Sequence, residues 1–164
     1  MKIIAWGVRL LNGGHALIDM ADRHLIVGYR WHARQRRKNI YAVAGRYLGN
    51  KKTATIYMHR LIIGASAGQL VDHINGHGLD NRRSLNLRVC SNLENQRNQK
   101  NIRGVSQYKG VTWDKNHGRW LAQIYIDGKN IFLGRYAIET EAAVAYDCAA
   151  RKYFNAFAST NFNL

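Results

Sequence analysis

Three polar residues in the stretch VDHINGHGLDNRRSLNLRVCSNLENQRN (71–98) could do chemistry together. Asp72 and Asn95 carry oxygen atoms of the kind that a hard cation such as magnesium prefers. His73 stands beside Asp72, and an unperturbed imidazole pKa of about 6.5 suits a general base near neutral pH. These residue types predict a site for metal-assisted hydrolysis.

The pattern around these residues predicts the elements that position them. VDHIN is typical of a short strand that enters a glycine-rich turn, and LNLRVCS is typical of a second strand. SNLENQRN predicts a helix, because Ser91 and Glu94 have the spacing of a capping box. Two strands followed by a helix would bring the end of the first strand close to the first turn of the helix. We therefore expect Asp72 and Asn95 to meet.

The whole string VDHIN…GLDNRR…NLRVC…EN resembles the HNH nuclease motif of phage and intron-borne homing endonucleases. The resemblance implies a ββα-metal site that hydrolyses a DNA phosphodiester with a divalent cation, Mg²⁺ or alternatively Mn²⁺. It makes His73 the general base, Asp72 and Asn95 metal ligands, and Asn86 the residue that holds the histidine loop through backbone hydrogen bonds.

The string departs from the family pattern at one point. Ser84 and Leu85 both precede Asn86, which is one residue more than the family has. If the loop absorbs the extra residue, Asn86 keeps its place; if the second strand shifts, its side chains turn to the other face. The neighbouring Arg82 and Arg83 are expected to make phosphate contacts or local salt bridges.

The net charge points to a polyanionic partner. Lys and Arg number 25 against 10 Asp and Glu, which gives +15 and a pI near 10.3. Such an excess is typical of proteins that bind nucleic acid. The cluster RWHARQRRK (30–38) makes Arg36 and Arg37 candidate DNA contacts. No apolar run approaches the roughly 18 residues of a membrane span, so a membrane partner is not expected.

The two cysteines, Cys90 and Cys148, form no CxxC pair. A disulfide framework and a structural zinc are therefore disfavoured, and with them a zinc-stapled RNA-binding module. The start of the chain, MKIIAWGVRLL, is interrupted by Arg9 and is not expected to be a signal peptide. We expect a cytoplasmic protein of a bacterium or a phage-infected cell.

The first third of the chain reads as short strands. The candidates mix β-branched and aromatic residues between breaks rich in Gly, Asn and Lys; they are HALIDM, HLIVGYRW, NIYAVAGRY and TATIYMH. HRLIIGAS (59–66) predicts a short helix that ends near Gly64 or Gly68. His59 in this helix could pack at its start or lie near a phosphate.

The pattern changes after residue 104. YKGVTW, RWLAQIYI and KNIFLGRY are strand-like, and Asp127-Gly128 between the last two indicates a tight turn. ETEAAVAYDCAARKYF (139–154) predicts a helix with one apolar stripe; it comprises Ala142, Ala145, Tyr146, Ala149 and Tyr153. We place a domain boundary near residue 104, between a β-rich region with the nuclease motif (1–104, motif 59–100) and a separate unit (105–164).

This second unit resembles the plant Apetala-2/ethylene-response-factor DNA-binding domain. The matching segments are YKGV, GRWLAQI, FLGRY, EAAVAYDCAA and the final NF (161–162). The resemblance implies a three-stranded sheet that lies in the DNA major groove while the helix covers its other face. The expected DNA contacts are Lys109, Arg119, Gln123, Tyr125, Asn130 and Phe132. Thr112 and Asp114 replace arginines of the plant domain, so a weaker or different base preference is expected.

The sequence therefore predicts an α+β protein. Its β-rich N-terminal region would carry a ββα-metal HNH motif, followed by a three-stranded antiparallel sheet packed on one helix. The predicted function is a metal-dependent endonuclease that nicks or cleaves double-stranded DNA, positioned by the C-terminal unit. One site per chain favours a monomer over a dimer. The alternative is a non-catalytic DNA-binding protein or transcriptional regulator with a degenerate HNH site.

Overall fold

The computed structural model describes residues 5–99 and 105–162. The chain divides into two compact units, Met1–Asn92 and Leu93–Leu164. The predicted boundary near residue 104 falls outside the described residues, and the observed division lies earlier, within helix α3 (Asn92–Asn98). None of the described helices is long and apolar enough to cross a membrane.

The described part of the first unit contains three small antiparallel sheets and two short helices. The sheets pair β1 with β2, β4 with both β3 and β5, and β6 with β7. The elements are β1 (Ala5–Arg9), β2 (His15–Asp19), α1 (Arg23–Ile26), β3 (His32–Arg36), β4 (Asn39–Gly49), β5 (Lys52–Tyr57), α2 (Met58–Ile63), β6 (Leu70–His73) and β7 (Leu87–Cys90). Their apolar faces share one core that includes Leu10, Ile18, Trp31, Met58 and Ile62.

Most of the elements predicted here are present, and one is wrong. Strands β2, β4 and β5 and helix α2 lie where the pattern placed them, and α2 ends at Gly64 in the left-handed conformation. The run HLIVGYRW is not a strand, because Arg23–Ile26 forms a helical turn instead. Trp31 Nε1 donates a hydrogen bond to the Ile26 carbonyl at 3.0 Å and folds the run onto the core. A short apolar run does not distinguish strand from helix.

The second unit is the predicted sheet and helix. Strands β8 (Val111–Asp114), β9 (Arg119–Ile126) and β10 (Lys129–Tyr136) form an antiparallel sheet in the order β10-β9-β8. Helix α4 (Glu139–Phe154) covers one face of the sheet. Ile124 of β9 shares one buried cluster with Tyr146 and Ala150 of α4, and Ala122 of β9 shares a second with Ala142. The predicted alanine stripe of α4 is confirmed, although Tyr153 is exposed.

A buried carboxylate on α4 connects the segment after the helix to the segment that leads into β8. Asp147 on α4 is fully buried and accepts hydrogen bonds from the backbone N–H groups of Asn161 and Phe162, both at 2.8 Å. The Asn161 side chain also bonds both backbone groups of Lys109, at 2.7 and 3.1 Å. The final NF pair is therefore the clamp that joins helix α4 to the segment leading into β8.

Gly110 is needed for the same junction. Its φ is +79°, and a Cβ atom placed on it would lie 1.9 Å from the Tyr146 ring. The ring thus packs directly on the glycine backbone. Gly118 also has a positive φ, +59°, but a Cβ atom there would meet nothing within 4 Å.

We predict that Gly110→Ala destabilises the second unit by more than about 2 kcal/mol, because the methyl group displaces a buried ring. Gly118→Ala is the matched control, since it adds the same methyl group at a positive φ without a clash and should cost about 1 kcal/mol. Urea unfolding followed through the Trp120 indole NMR signal measures both. Equal losses for the two variants would contradict the packing of Tyr146 on Gly110.

Candidate nucleic-acid interface

The face of the second unit's sheet that points away from α4 carries polar and aromatic side chains. Cross-strand partners share a face, and the register pairs Gln123 with Phe132 and Tyr125 with Asn130. Tyr125 is 60% exposed and Phe132 is 57% exposed. We call this surface the outer face; it comprises Thr112, Asp114, Arg119, Leu121, Gln123, Tyr125, Asn130, Phe132 and Arg135.

A β-bulge adds Arg135 to the outer face. Strict alternation along β10 would place residues 132 and 135 on opposite faces. The register instead shifts between Phe132 and Gly134, so Arg135 pairs with Leu121 of the outer face. Gly134 has a φ of +143°, and Leu133 turns inward to the core. Phe132 and Arg135 consequently stand side by side, with the guanidinium 5.2 Å from the ring centroid.

Asp114 is the acidic residue of this face. Its Oδ2 accepts hydrogen bonds from Arg135 Nε at 2.8 Å and from His117 Nδ1 at 2.9 Å. The bond from Arg135, followed by the attraction of His117, holds the pKa of this carboxyl below its usual value. Asp114 is therefore ionised at neutral pH, and it forms an ion pair with Arg135 across the width of the sheet.

Lys109 differs from the other predicted contacts of this unit. Its ammonium group donates to the Arg97 carbonyl at 2.6 Å and lies 6.0 Å from the centroid of the Tyr146 ring. It is thus engaged inside the unit. Arg119, Gln123, Tyr125, Asn130 and Phe132 all lie on the outer face.

The polar segment of the first unit forms a hairpin closed by Asn86. Asn86 is 2% exposed; its Oδ1 accepts from the Asn75 backbone N–H at 2.8 Å and its Nδ2 donates to the Asp80 carbonyl at 2.6 Å. The backbone bonds implied for Asn86 are therefore present. Leu85 is 51% exposed in the turn after Arg82, so the loop absorbs the extra residue.

The carboxylate predicted as a metal ligand has a protein cation as its partner. The register sets Asp72 opposite Arg88, whose Nε and Nη2 donate to Asp72 Oδ2 at 2.9 and 2.7 Å. Asn95 belongs to the other unit, so its meeting with Asp72 stays a prediction. Among residues 5–99 and 105–162, no three His, Cys, Asp or Glu side chains are grouped to hold a metal ion. The donor set around Asp72 fits a divalent cation poorly.

His73 lies in a buried cluster of rings. Its centroid is 5.0 Å from that of His59 and 5.9 Å from that of Tyr41, and Tyr57 packs against His59. His73 Nε2 donates to Asn81 Oδ1 at 3.3 Å. Burial lowers the pKa of His73, although the Asn81 bond opposes the shift. Burial, with the nearby His73, lowers the pKa of His59 to about 3, so His59 is neutral at pH 7.

The predicted arginine contacts of the first unit fall into two groups. Arg82 forms a two-pronged ion pair with Asp80 at 2.6 and 2.7 Å, and Arg83 pairs with Asp22. Arg36 and Arg37 lie at the exposed end of the β3–β4 hairpin, where Arg36 Nη1 donates to the Tyr57 hydroxyl at 3.0 Å. The local salt bridge expected as one option for Arg82 and Arg83 is the one observed.

Comparisons with known proteins decide the family of the C-terminal part. The AP2 domain family model matches residues 101–156. This part of the chain is therefore similar to the AP2 domain. An AP2-like ethylene-responsive transcription factor of Arabidopsis thaliana is 47% identical over 64 residues, which are 38% of this chain and 19% of that protein. A rice relative of the same description, from Oryza sativa subsp. japonica, is also 47% identical over 64 residues, 38% of this chain and 10% of that protein. The chain spans at most about a fifth of these relatives.

The predicted endonuclease is wrong on these findings. The family match is the AP2 domain, and the relatives reported are named as transcription factors. The assignment as a hydrolase of the phage homing-endonuclease type falls with it. The relatives come from plants, so the bacterial or phage setting has no support. The findings favour the alternative, a DNA-binding regulator.

Arg135 is not among the DNA contacts predicted from the sequence. The alternation of β10 assigns it to the buried face, and only the bulge reverses that assignment. Gly134 inside a strand pattern is the available signal, since an isolated glycine in a strand often marks a bulge.

We predict that the first unit loses stability as the pH falls. The folded unit keeps His59 neutral down to a pKa of about 3, whereas the unfolded chain protonates it near 6.5. The unfolded state binds more protons between these values, so the free energy of unfolding falls by up to about 1.4 kcal/mol per pH unit as the pH drops through this window.

His59→Phe tests this directly, because it keeps the ring contacts with Tyr41 and Tyr57 and cannot take up a proton. Urea midpoints from the Trp31 indole NMR signal, compared between about pH 7 and pH 4, should show a flatter dependence for the variant. The same slope in both proteins would show that His59 is not the group responsible.

Proposed function

We propose that this protein is a non-catalytic, double-stranded-DNA-binding regulator of transcription that contacts the major groove with the outer face of its AP2 domain. The observation that carries the proposal is the AP2 match over residues 101–156. The relatives are named as transcription factors, which supports the regulatory part. One outer face per chain makes a monomer the binding form we propose.

The chemistry of the outer face suits a duplex. Gln123 and Asn130 side chains can bond base edges, and the exposed rings of Tyr125 and Phe132 offer apolar contact to thymine methyl groups. A three-stranded sheet presents these groups on one surface, while α4 fills the other with core contacts. The face therefore supplies both polar and apolar readers of sequence.

The first unit supplies charge in this proposal. Arg36 and Arg37 are exposed on a hairpin of a strongly basic region, so they attract phosphates without regard to sequence. Arg82 and Arg83 contribute less, because Asp80 and Asp22 neutralise them. A divalent cation is not part of the proposed function, since Arg88 is the cation that Asp72 contacts.

We predict that Tyr125→Ala weakens binding to a duplex recovered by in vitro selection about tenfold, the effect of roughly 1.4 kcal/mol of contact energy. Tyr153→Ala is the matched control, since Tyr153 is also an exposed tyrosine of this unit but lies on α4. Fluorescence anisotropy with labelled DNA measures both variants. Equal affinities of the two variants would contradict binding through the outer face, and recovery of cut DNA in magnesium would overturn a non-catalytic function.

We further predict that the double variant Arg36→Ala, Arg37→Ala weakens binding to every duplex by the same factor. The slope of log affinity against log salt should become shallower by about 2, since two phosphate contacts are lost. The double variant Arg82→Ala, Arg83→Ala should change the slope less, because each arginine already has a carboxylate partner. The reverse order of the two slopes would reassign the phosphate contacts to Arg82 and Arg83.

A further inference from the structure

Arg135 is held on the outer face in a defined orientation. Its Nε edge donates to Asp114 Oδ2 at 2.8 Å, and its guanidinium plane lies 5.2 Å from the Phe132 ring centroid. A guanidinium carries five N–H donors in a rigid fork. When the Nε edge is engaged by a carboxylate, the two Nη groups at the tip still present a pair of donors pointing away from it.

The carboxylate that orients Arg135 is itself fixed. Asp114 Oδ2 also accepts from His117 Nδ1 at 2.9 Å, and Asp114 Oδ1 accepts from the backbone N–H of Asn116 at 3.1 Å. Asp114 thus cannot turn away without breaking these bonds. An arginine held by such a partner loses less rotamer freedom on binding, which favours a contact of specific geometry.

The ion pair also determines what kind of contact Arg135 makes. The charge of Asp114 offsets that of Arg135 at 2.8 Å, and a phosphate brought to this point would be repelled by the carboxylate. A neutral base edge suffers no such repulsion. The donor pair at the tip of the guanidinium matches the O6 and N7 acceptors of guanine in the major groove.

We propose that Arg135 is a specificity-determining residue that binds a guanine base edge, and that Asp114 is the residue that positions it. This inference rests on the proposed function. Arg135 supplies this guanine reader from β10, the edge strand opposite the β8 strand that carries Asp114. The Phe132 ring beside it restrains the guanidinium plane.

The experiment uses the full chain and a duplex recovered by in vitro selection. Each guanine of the duplex is replaced in turn by 7-deazaguanine, which lacks the N7 acceptor in the major groove, or by inosine, which lacks only the minor-groove amino group. At one position, 7-deazaguanine should weaken binding of the wild-type protein about tenfold, while inosine leaves it unchanged. Arg135→Ala should bind the guanine and 7-deazaguanine duplexes alike, since it retains no donor, and Arg135→Lys should show a smaller preference for guanine than the wild-type protein, since a single ammonium lacks the rigid fork.

Asp114→Asn keeps the size of the side chain and removes its charge, so it should reduce the same base preference while retaining duplex binding. Thermal unfolding checks that each variant is folded, and Arg135→Lys preserves the surface charge. An equal loss of affinity for all duplexes, with a salt slope shallower by about 1, would make Arg135 a phosphate contact and overturn the inference. Wild-type protein that binds no duplex would overturn the proposed function itself.

Discussion

The buried carboxylate of Asp147 is the interaction on which the second unit depends. A charge removed from water must be met by hydrogen bonds, or its burial is costly. Here Asn161 and Phe162 donate to it, and the Asn161 amide also holds the backbone of Lys109. Helix, strand entry and chain end are thus fixed to each other, and Gly110 lies where the helix can press a ring against it. These bonds hold α4 against the inner face of the sheet, and the outer face is left uncovered by the helix.

The local pattern predicts the second unit well because its elements obey simple periods. Alternation along β9 separates Trp120, Ala122 and Ile124 from the exposed residues, and the Asp127-Gly128 turn joins β9 to β10. The bulge in β10 has only Gly134 as a local signal. The bond between Asp147 and Asn161 is a tertiary contact, which no run of neighbouring residues encodes.

The polar segment 71–98 shows why residue types alone did not determine the candidate site. Asp, His and Asn side chains suit a metal ion, but they also suit a loop whose polar groups form hydrogen bonds with one another. The strand–strand–helix order and the closing role of Asn86 followed from the motif. Whether a carboxylate binds a metal ion or stabilises the loop depends on which cation lies beside it. Here Asp72 forms an ion pair with Arg88, and Asp80 forms one with Arg82. The pairing of Asp72 with Arg88 becomes visible only when the register of β6 and β7 is known.

The bulge at Leu133 and Gly134 has a consequence for how the outer face can diverge. In a regular strand, the loss or gain of one residue exchanges the inward and outward side chains at every position beyond it. The bulge already holds one such extra residue in β10. Deletion of a single codon there would restore regular pleating and keep both Phe132 and Arg135 on the outer face, because the two residues would then lie two positions apart. The bulge is therefore the place in β10 where the chain can shorten by one residue with the composition of the outer face conserved.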